Sequence, residues 1–172
     1  MRTLETRYAL ALYELTGDEE GLRSGASLLM GEPELWQALL NPCIPVREKD
    51  GVLCRLLQGR MSQVDLDFFR LLCRRERLGL LPGILARFHQ LKLEGEGGAT
   101  AVYRCAREPD PQDLARIGEA LKRRHGLSKV EFQVELDPEL LGGFTIQIGG
   151  ITYDKSVRGM LGGLRRSLKE RE

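Results

Sequence analysis

The sequence predicts an α+β protein: an N-terminal six-helix bundle followed by a small C-terminal domain of strands and two helices. Three observations carry this. Residues up to about Glu94 hold only helix-period apolar patterns, broken by proline and glycine. Glu94-Gly95-Glu96-Gly97-Gly98 then forms a glycine-rich boundary, which sets the domains at 1–94 and 99–172. Beyond it the period changes to two, with Val130, Phe132, Val134 and Leu136 alternating against Glu131, Gln133 and Glu135. Runs of helix followed by strands around a further helix define the α+β class.

The first helix is expected from Thr3 to Thr16, stopped by Gly17. Leu4, Tyr8, Ala11, Leu12 and Leu15 share a face, and Ala9, Leu10 and Tyr13 widen it beyond what one core contact needs. The second runs from Asp18 to Met30. The third opens at Pro33 with Leu35, Trp36, Leu39 and Leu40 as its apolar face, and Asn41-Pro42 ends it. A fourth passes from Pro45 and Val46 through Val52, Leu53, Leu56 and Leu57 to Gly59. The fifth, Asp65 to Arg77, has an apolar arc of Phe68, Phe69, Leu71, Leu72 and Cys73, again wider than one core face. Pro82 falls in the first turn of a sixth, with Ile84, Leu85, Phe88 and Leu91 facing inward.

In the second domain, Ala101, Tyr103 and Cys105 mark a first strand. Asp110-Pro111 starts a helix through Leu114, Ile117 and Leu121, which Gly126 closes. After the strand at 130–136, Phe144, Ile146 and Ile148 form another, and Gly149-Gly150 turns the chain into Ile151-Thr152-Tyr153. Ser156 stands at the N-cap of a last helix carrying Val157, Leu161, Leu164 and Leu168.

Chemistry is sparse. The chain has 172 residues, 42% of them hydrophobic and 30% charged, with a net charge of +1. That near-neutral balance argues against nucleic acid as a partner, and the Arg74-Arg75-Glu76-Arg77 cluster reads as a solvated helix end. No apolar stretch reaches the roughly 18–20 residues of a membrane span. The N-terminus lacks the apolar core of a secretory signal. His89 and His125 are not spaced for a metal site, so no metal and no cofactor is expected. Cys43, Cys54, Cys73 and Cys105 form no CxxC pair; three of them sit inside helical or strand patterns, so buried free thiols of a reducing compartment are expected. Gly142-Gly143 and Gly149-Gly150 lack the lysine-serine ending of a phosphate loop. No nucleophile–base pair is visible, and an enzyme is not expected.

The run Leu140-Leu141-Gly142-Gly143-Phe144, with Ile146, Ile148-Gly149, Asp154 and Ser156-Val157-Arg158-Gly159, resembles the C-terminal signature of the delta subunits of F-type ATP synthase. These include the mitochondrial oligomycin-sensitivity-conferring protein. Arg7-Tyr8-Ala9-Leu10-Ala11-Leu12, Phe69-Arg70-Leu71-Leu72 and Arg77-Leu78-Gly79-Leu80-Leu81-Pro82 are similar to the family's helical motifs. The chain departs at Arg7, where proline is common, at Lys155, where glycine is common, and at Gly162-Gly163, where larger residues are usual.

The resemblance implies a non-catalytic peripheral-stalk subunit that links the alpha/beta head to the b-type stator and resists rotor torque during proton-coupled ATP synthesis. It implies that the N-terminal helix of an alpha subunit binds in a groove between the first and fifth helices. By position, Tyr8, Ala11, Leu12 and Leu15 with Phe68, Leu71, Leu72 and Arg75 are the groove residues. The C-terminal domain is expected to meet the b-type stalk. A place on the cytoplasmic face of a bacterial inner membrane follows. The rival expectations are a two-domain adaptor outside the synthase and an RNA-binding protein.

Overall fold

The computed structural model describes residues 3–138, 140–157 and 159. The chain forms two compact units, 1–92 and 93–172. It is α+β.

In the first unit, α1 (Leu4–Leu15), α2 (Glu19–Met30), α3 (Pro33–Leu40), α4 (Val46–Leu57), α5 (Gln63–Arg74) and α6 (Leu81–Gly95) follow one another, with a 3-10 turn at Leu78–Leu80. The starts are chemically marked. Thr3, Asp18 and Ser62 accept hydrogen bonds from otherwise unpaired first-turn amides of α1, α2 and α5. Pro33 occupies the first turn of α3, where its missing N–H costs nothing. Leu12, Leu22, Leu29, Leu53, Phe69, Leu72, Leu81, Ile84 and Phe88 meet in one apolar core to which α1, α2, α4, α5 and α6 contribute. Each such side chain contributes roughly 1.5–3 kcal/mol on burial.

The fifth helix differs at both ends from the expected Asp65–Arg77. It starts at Gln63 because Ser62 caps it, with Asp65 N donating to Ser62 Oγ at 3.2 Å and Ser62 Oγ donating to Asp65 Oδ2 at 2.7 Å. This is a capping box with aspartate in place of the usual glutamate. It ends at Arg74 because Glu76 turns left-handed (φ 55°), the one non-glycine residue to do so among the described residues. Arg77 N then donates to Leu72 O at 2.8 Å, and Glu76 N to Cys73 O at 3.0 Å. That closure normally recruits glycine.

The second unit holds β1 (Ala99–Cys105), α7 (Pro111–His125), β2 (Val130–Leu136), β3 (Phe144–Ile148) and β4 (Ile151–Asp154). The sheet order is β2-β1-β3-β4. β1 pairs parallel with β2 over its whole length, with α7 as the crossover, and antiparallel with β3 at Val102–Cys105. Ala101, Tyr103, Cys105, Ile146 and Ile148 point to the face covered by Leu114, Ile117 and Leu121 of α7. Tyr103 stacks on Phe144 at 5.0 Å and meets Phe132 edge-on at 6.2 Å. Gly149 and Gly150 both have positive φ (54° and 80°), as a two-residue hairpin turn requires. The expected last helix beyond Gly159, with Leu161, Leu164, Leu168 and Gly162-Gly163, lies outside the described residues, as do Glu139 and Arg158.

All four cysteines are free, but only Cys73 and Cys105 are buried. Cys43 is exposed just past the end of α3, and Cys54 is half-buried on α4. The expectation of buried thiols, drawn from three cysteines lying in helical or strand patterns, therefore holds for Cys73 and Cys105 and is corrected for Cys43 and Cys54.

Candidate docking surface

Two helices of the first unit present matching apolar strips. On α1, Leu4, Tyr8, Ala11 and Leu15 recur at steps of four, three and four residues; Val64, Phe68 and Leu71 of α5 follow the same steps, and the cationic Arg75, the C-cap just past the helix, completes them. This spacing keeps four side chains on one helical face. Leu15 is 72% exposed, and Leu4, Val64 and Leu71 are also among the exposed large hydrophobics. Tyr8 and Phe68 join the strips through an edge-on ring contact at 6.2 Å. Arg77 Nη1 donates to Tyr8 Oη at 2.8 Å, and its guanidinium lies 5.9 Å from the ring centre.

The structure sorts the expected groove residues into two groups. Tyr8, Ala11, Leu15, Leu71 and Arg75 are wholly or partly accessible. Leu12, Leu72 and Phe68 are core residues, 2%, 0% and 8% exposed, with Phe68 edge-on to the Tyr8 ring. Leu4 and Val64 were not among the expected site residues. Both extend the same period by one step, the signal that could have found them.

The glycine-rich signature builds structure. Gly143 has φ 76°, and a Cβ there would collide with the Lys155 carbonyl and sit 2.9 Å from Ser156 Cα. The crossing is held by Lys155 N donating to Phe144 O at 2.9 Å and Val157 N to Gly142 O at 3.1 Å. Ser156, buried, caps the turn beyond: Gly159 N donates to Ser156 Oγ at 3.0 Å, and Ser156 N to Asp154 Oδ1 at 2.8 Å. Hydrogen bonds from Ser156 hold the Asp154 carboxyl below the usual range. Gly142, Gly143, Phe144, Asp154, Ser156 and Gly159 therefore come together, and Ile146 lies in the core of the sheet. Leu140 N closes a turn onto Asp137 O at 3.1 Å.

Other titratable groups are engaged within the fold. His89 Nδ1 lies 2.6 Å from Glu19 Oε1, and His125 Nε2 lies 2.9 Å from Tyr153 Oη. Asp50 bridges α4 to α5 by accepting from Arg70 Nε and Nη2 at 2.7 and 2.8 Å. These bonds hold its carboxyl below the usual range. Among the described residues, no group of three or more His, Cys, Asp or Glu is placed to hold a metal. No helix among them is long and apolar enough to cross a membrane.

What the fold offers at its surface is apolar area with a cationic rim, which defines a docking protein. The profile of the ATP synthase delta (OSCP) subunit family matches residues 4–168, and the chain belongs to that family. The ATP synthase subunit delta of Methylobacillus flagellatus is 31% identical over 173 residues, covering 97% of each chain. The chloroplastic ATP synthase subunit delta of Emiliania huxleyi is 32% identical, covering 90% of this chain and 89% of its own. A chain of the Toxoplasma gondii mitochondrial ATP synthase hexamer shares the fold, with a TM-score of 0.69 at 19% identity, covering 96% of this chain and 97% of its own. The protein is thus a non-catalytic, structural subunit of the peripheral stalk of ATP synthase, and a peripheral component of that complex. The comparisons support neither rival expectation, the adaptor outside the synthase or the RNA-binding protein.

Proposed function

We propose that the N-terminal unit is a six-helix bundle whose α1/α5 strip receives the N-terminal helix of an ATP synthase alpha subunit. The observation that carries this is the equal spacing of Leu4, Tyr8, Ala11 and Leu15 with Val64, Phe68, Leu71 and Arg75. An amphipathic helix laid along two such strips covers the exposed leucines, as in other helix-in-groove recognition. Ala11 is the smallest side chain in the strip and lets the incoming backbone approach. Leu12 and Leu72 form the floor beneath it. In this reading 1–94 is the head-binding domain.

The C-terminal domain, 99–172, meets the b-type stalk subunits. Val134 and Leu136 on edge strand β2, with Leu141 beyond it, leave apolar surface exposed there. The subunit thereby links head to stalk on the cytoplasmic face of a bacterial inner membrane. It takes no cofactor and no nucleic acid.

Titration with an alpha-subunit N-terminal peptide, then with a purified b-stalk segment, tests both contacts. Ala11→Arg is expected to abolish peptide binding while the helical circular dichroism is unchanged. Undiminished peptide binding by that folded variant would overturn the assignment to α1/α5.

A further inference from the structure

The α1/α5 strip is bordered by charges that the fold itself leaves unanswered. Near the end of α5, Arg70 and Arg74 bind Asp50 and Arg77 holds Tyr8. The exposed Arg75 side chain, by contrast, has no hydrogen-bond or ion-pair partner among the described residues. The same is true of the exposed Arg7 and Glu14 on α1. At 100° per residue both flank the line of Leu4, Tyr8, Ala11 and Leu15, on the side away from buried Leu12. The two ends of the strip differ in sign. Arg77 reaches Tyr8, and a Cβ on Gly83 would collide with the Glu5 carboxylate, so the chain just beyond α5 lies against the first two turns of α1. Arg75 therefore stands with Arg7 at the Leu4 end, and Glu14 stands at the Leu15 end.

We infer that this polarity selects and orients the docked helix, which carries a carboxylate side chain beside Arg75 at one end of its apolar stripe. The inference rests on the α1/α5 docking reading and deepens it. Three of the four strip positions contributed around α5 are apolar, so a helix lying over them also strips water from the guanidinium that ends the row. With no anion opposite, that loss is uncompensated. A carboxylate there forms a charge-assisted, two-pronged pair with the planar guanidinium. A helix laid the other way round would bring that carboxylate to Glu14 and leave Arg75 unmatched, and such like-charge contact rejects the wrong orientation. Leu15 and Leu71 supply the apolar area, and Arg75 is the specificity-determining residue.

The probe is an alpha-subunit N-terminal peptide, titrated onto the full chain at low and high salt. Arg75→Gln is expected to weaken binding about three- to fivefold and to reduce its salt dependence. Arg23→Gln, at an exposed arginine of α2 outside the strip, should leave both unchanged. Peptides with each Asp or Glu replaced singly by Asn or Gln locate the partner group. One replacement should weaken binding to the natural chain by the same factor and have no further effect on the Arg75→Gln variant. Undiminished binding by Arg75→Gln, or losses that add at every peptide position, overturn the inference. Leu71→Glu separates this from failure of the docking reading. If Leu71→Glu loses the peptide while Arg75→Gln keeps it, the strip stands and the charge selection falls; if both keep it, the strip falls as well.

Discussion

Arg77 donates from Nη1 to the hydroxyl of Tyr8 across 2.8 Å, joining residues 69 positions apart in the chain. The two motifs that resemble family sequence at either end of the first unit are therefore in direct contact. The pair fixes Tyr8 where the α1 and α5 strips meet, with Phe68 in edge-on contact with its ring. Tyr8→Phe keeps the ring and deletes the acceptor, so it should cost about 1 kcal/mol in urea unfolding. In a cycle with Arg77→Met, the coupling should be about 1 kcal/mol, and a value near zero would show that the pair acts independently.

Leu71 and Leu72 are adjacent in sequence and opposite in role. Leu71→Glu alters an exposed side chain and should change stability by no more than about 0.5 kcal/mol. It should nevertheless weaken binding of the alpha peptide at least about tenfold, because a charge would be buried under the incoming helix. Leu72→Ala should cost about 2–5 kcal/mol in unfolding. Titration calorimetry and denaturant melts on the two variants separate these effects.

Gly143 and Gly51 offer a second contrast. Gly143 combines positive φ with a blocked Cβ position, so Gly143→Ala should destabilise the C-terminal unit by about 2 kcal/mol or more. Gly51 is helical in α4 with nothing within 4 Å of an added Cβ. Gly51→Ala should stabilise the protein by about 0.4–1 kcal/mol. Hydrogen exchange of β3 and β4 in the first variant shows whether the loss is confined to their unit.

Asp65 is fully buried, and its Oδ1 has no hydrogen-bond partner. Burial is the main force raising its carboxyl above the usual range of about 3.8, with the nearby Asp18 charge adding to it and bonds from Ser62 opposing it. The folded state therefore holds this proton more tightly than the unfolded chain does. Its contribution is most favourable below pH 3.8 and is lost as pH rises through the folded value. Asp65→Asn removes that dependence. Its stability relative to the natural chain should increase from about pH 3.5 to pH 7, as read by thermal melts across that range. A constant difference would contradict the assignment.

Helix existence was legible because Thr3, Asp18, Pro33, Asp110 and Pro111 announce starts through local chemistry. Ser62 was passed over because its capping box uses aspartate at the third position, and the end of α5 because Glu76 does what glycine usually does. Period alone showed that α1 and α5 are apolar over a wide arc. It could not divide that arc into core and surface, since Leu12 and Leu15 differ by less than one turn and Leu71 and Leu72 by one residue. The parallel pairing of β1 with β2 depends on elements far apart in sequence, and no local pattern encodes it.

The placement of β1 has a mechanical consequence. The chain leaves the first unit and enters the sheet at a central strand, held by β2 on one side and β3 on the other. A pull arriving along that connection loads both ladders lengthwise, so many hydrogen bonds must give way together. Had the chain entered at an edge strand, they could open one at a time like a zip. For a subunit set between a turning motor's casing and its brace, that is the stronger way to sew the seam.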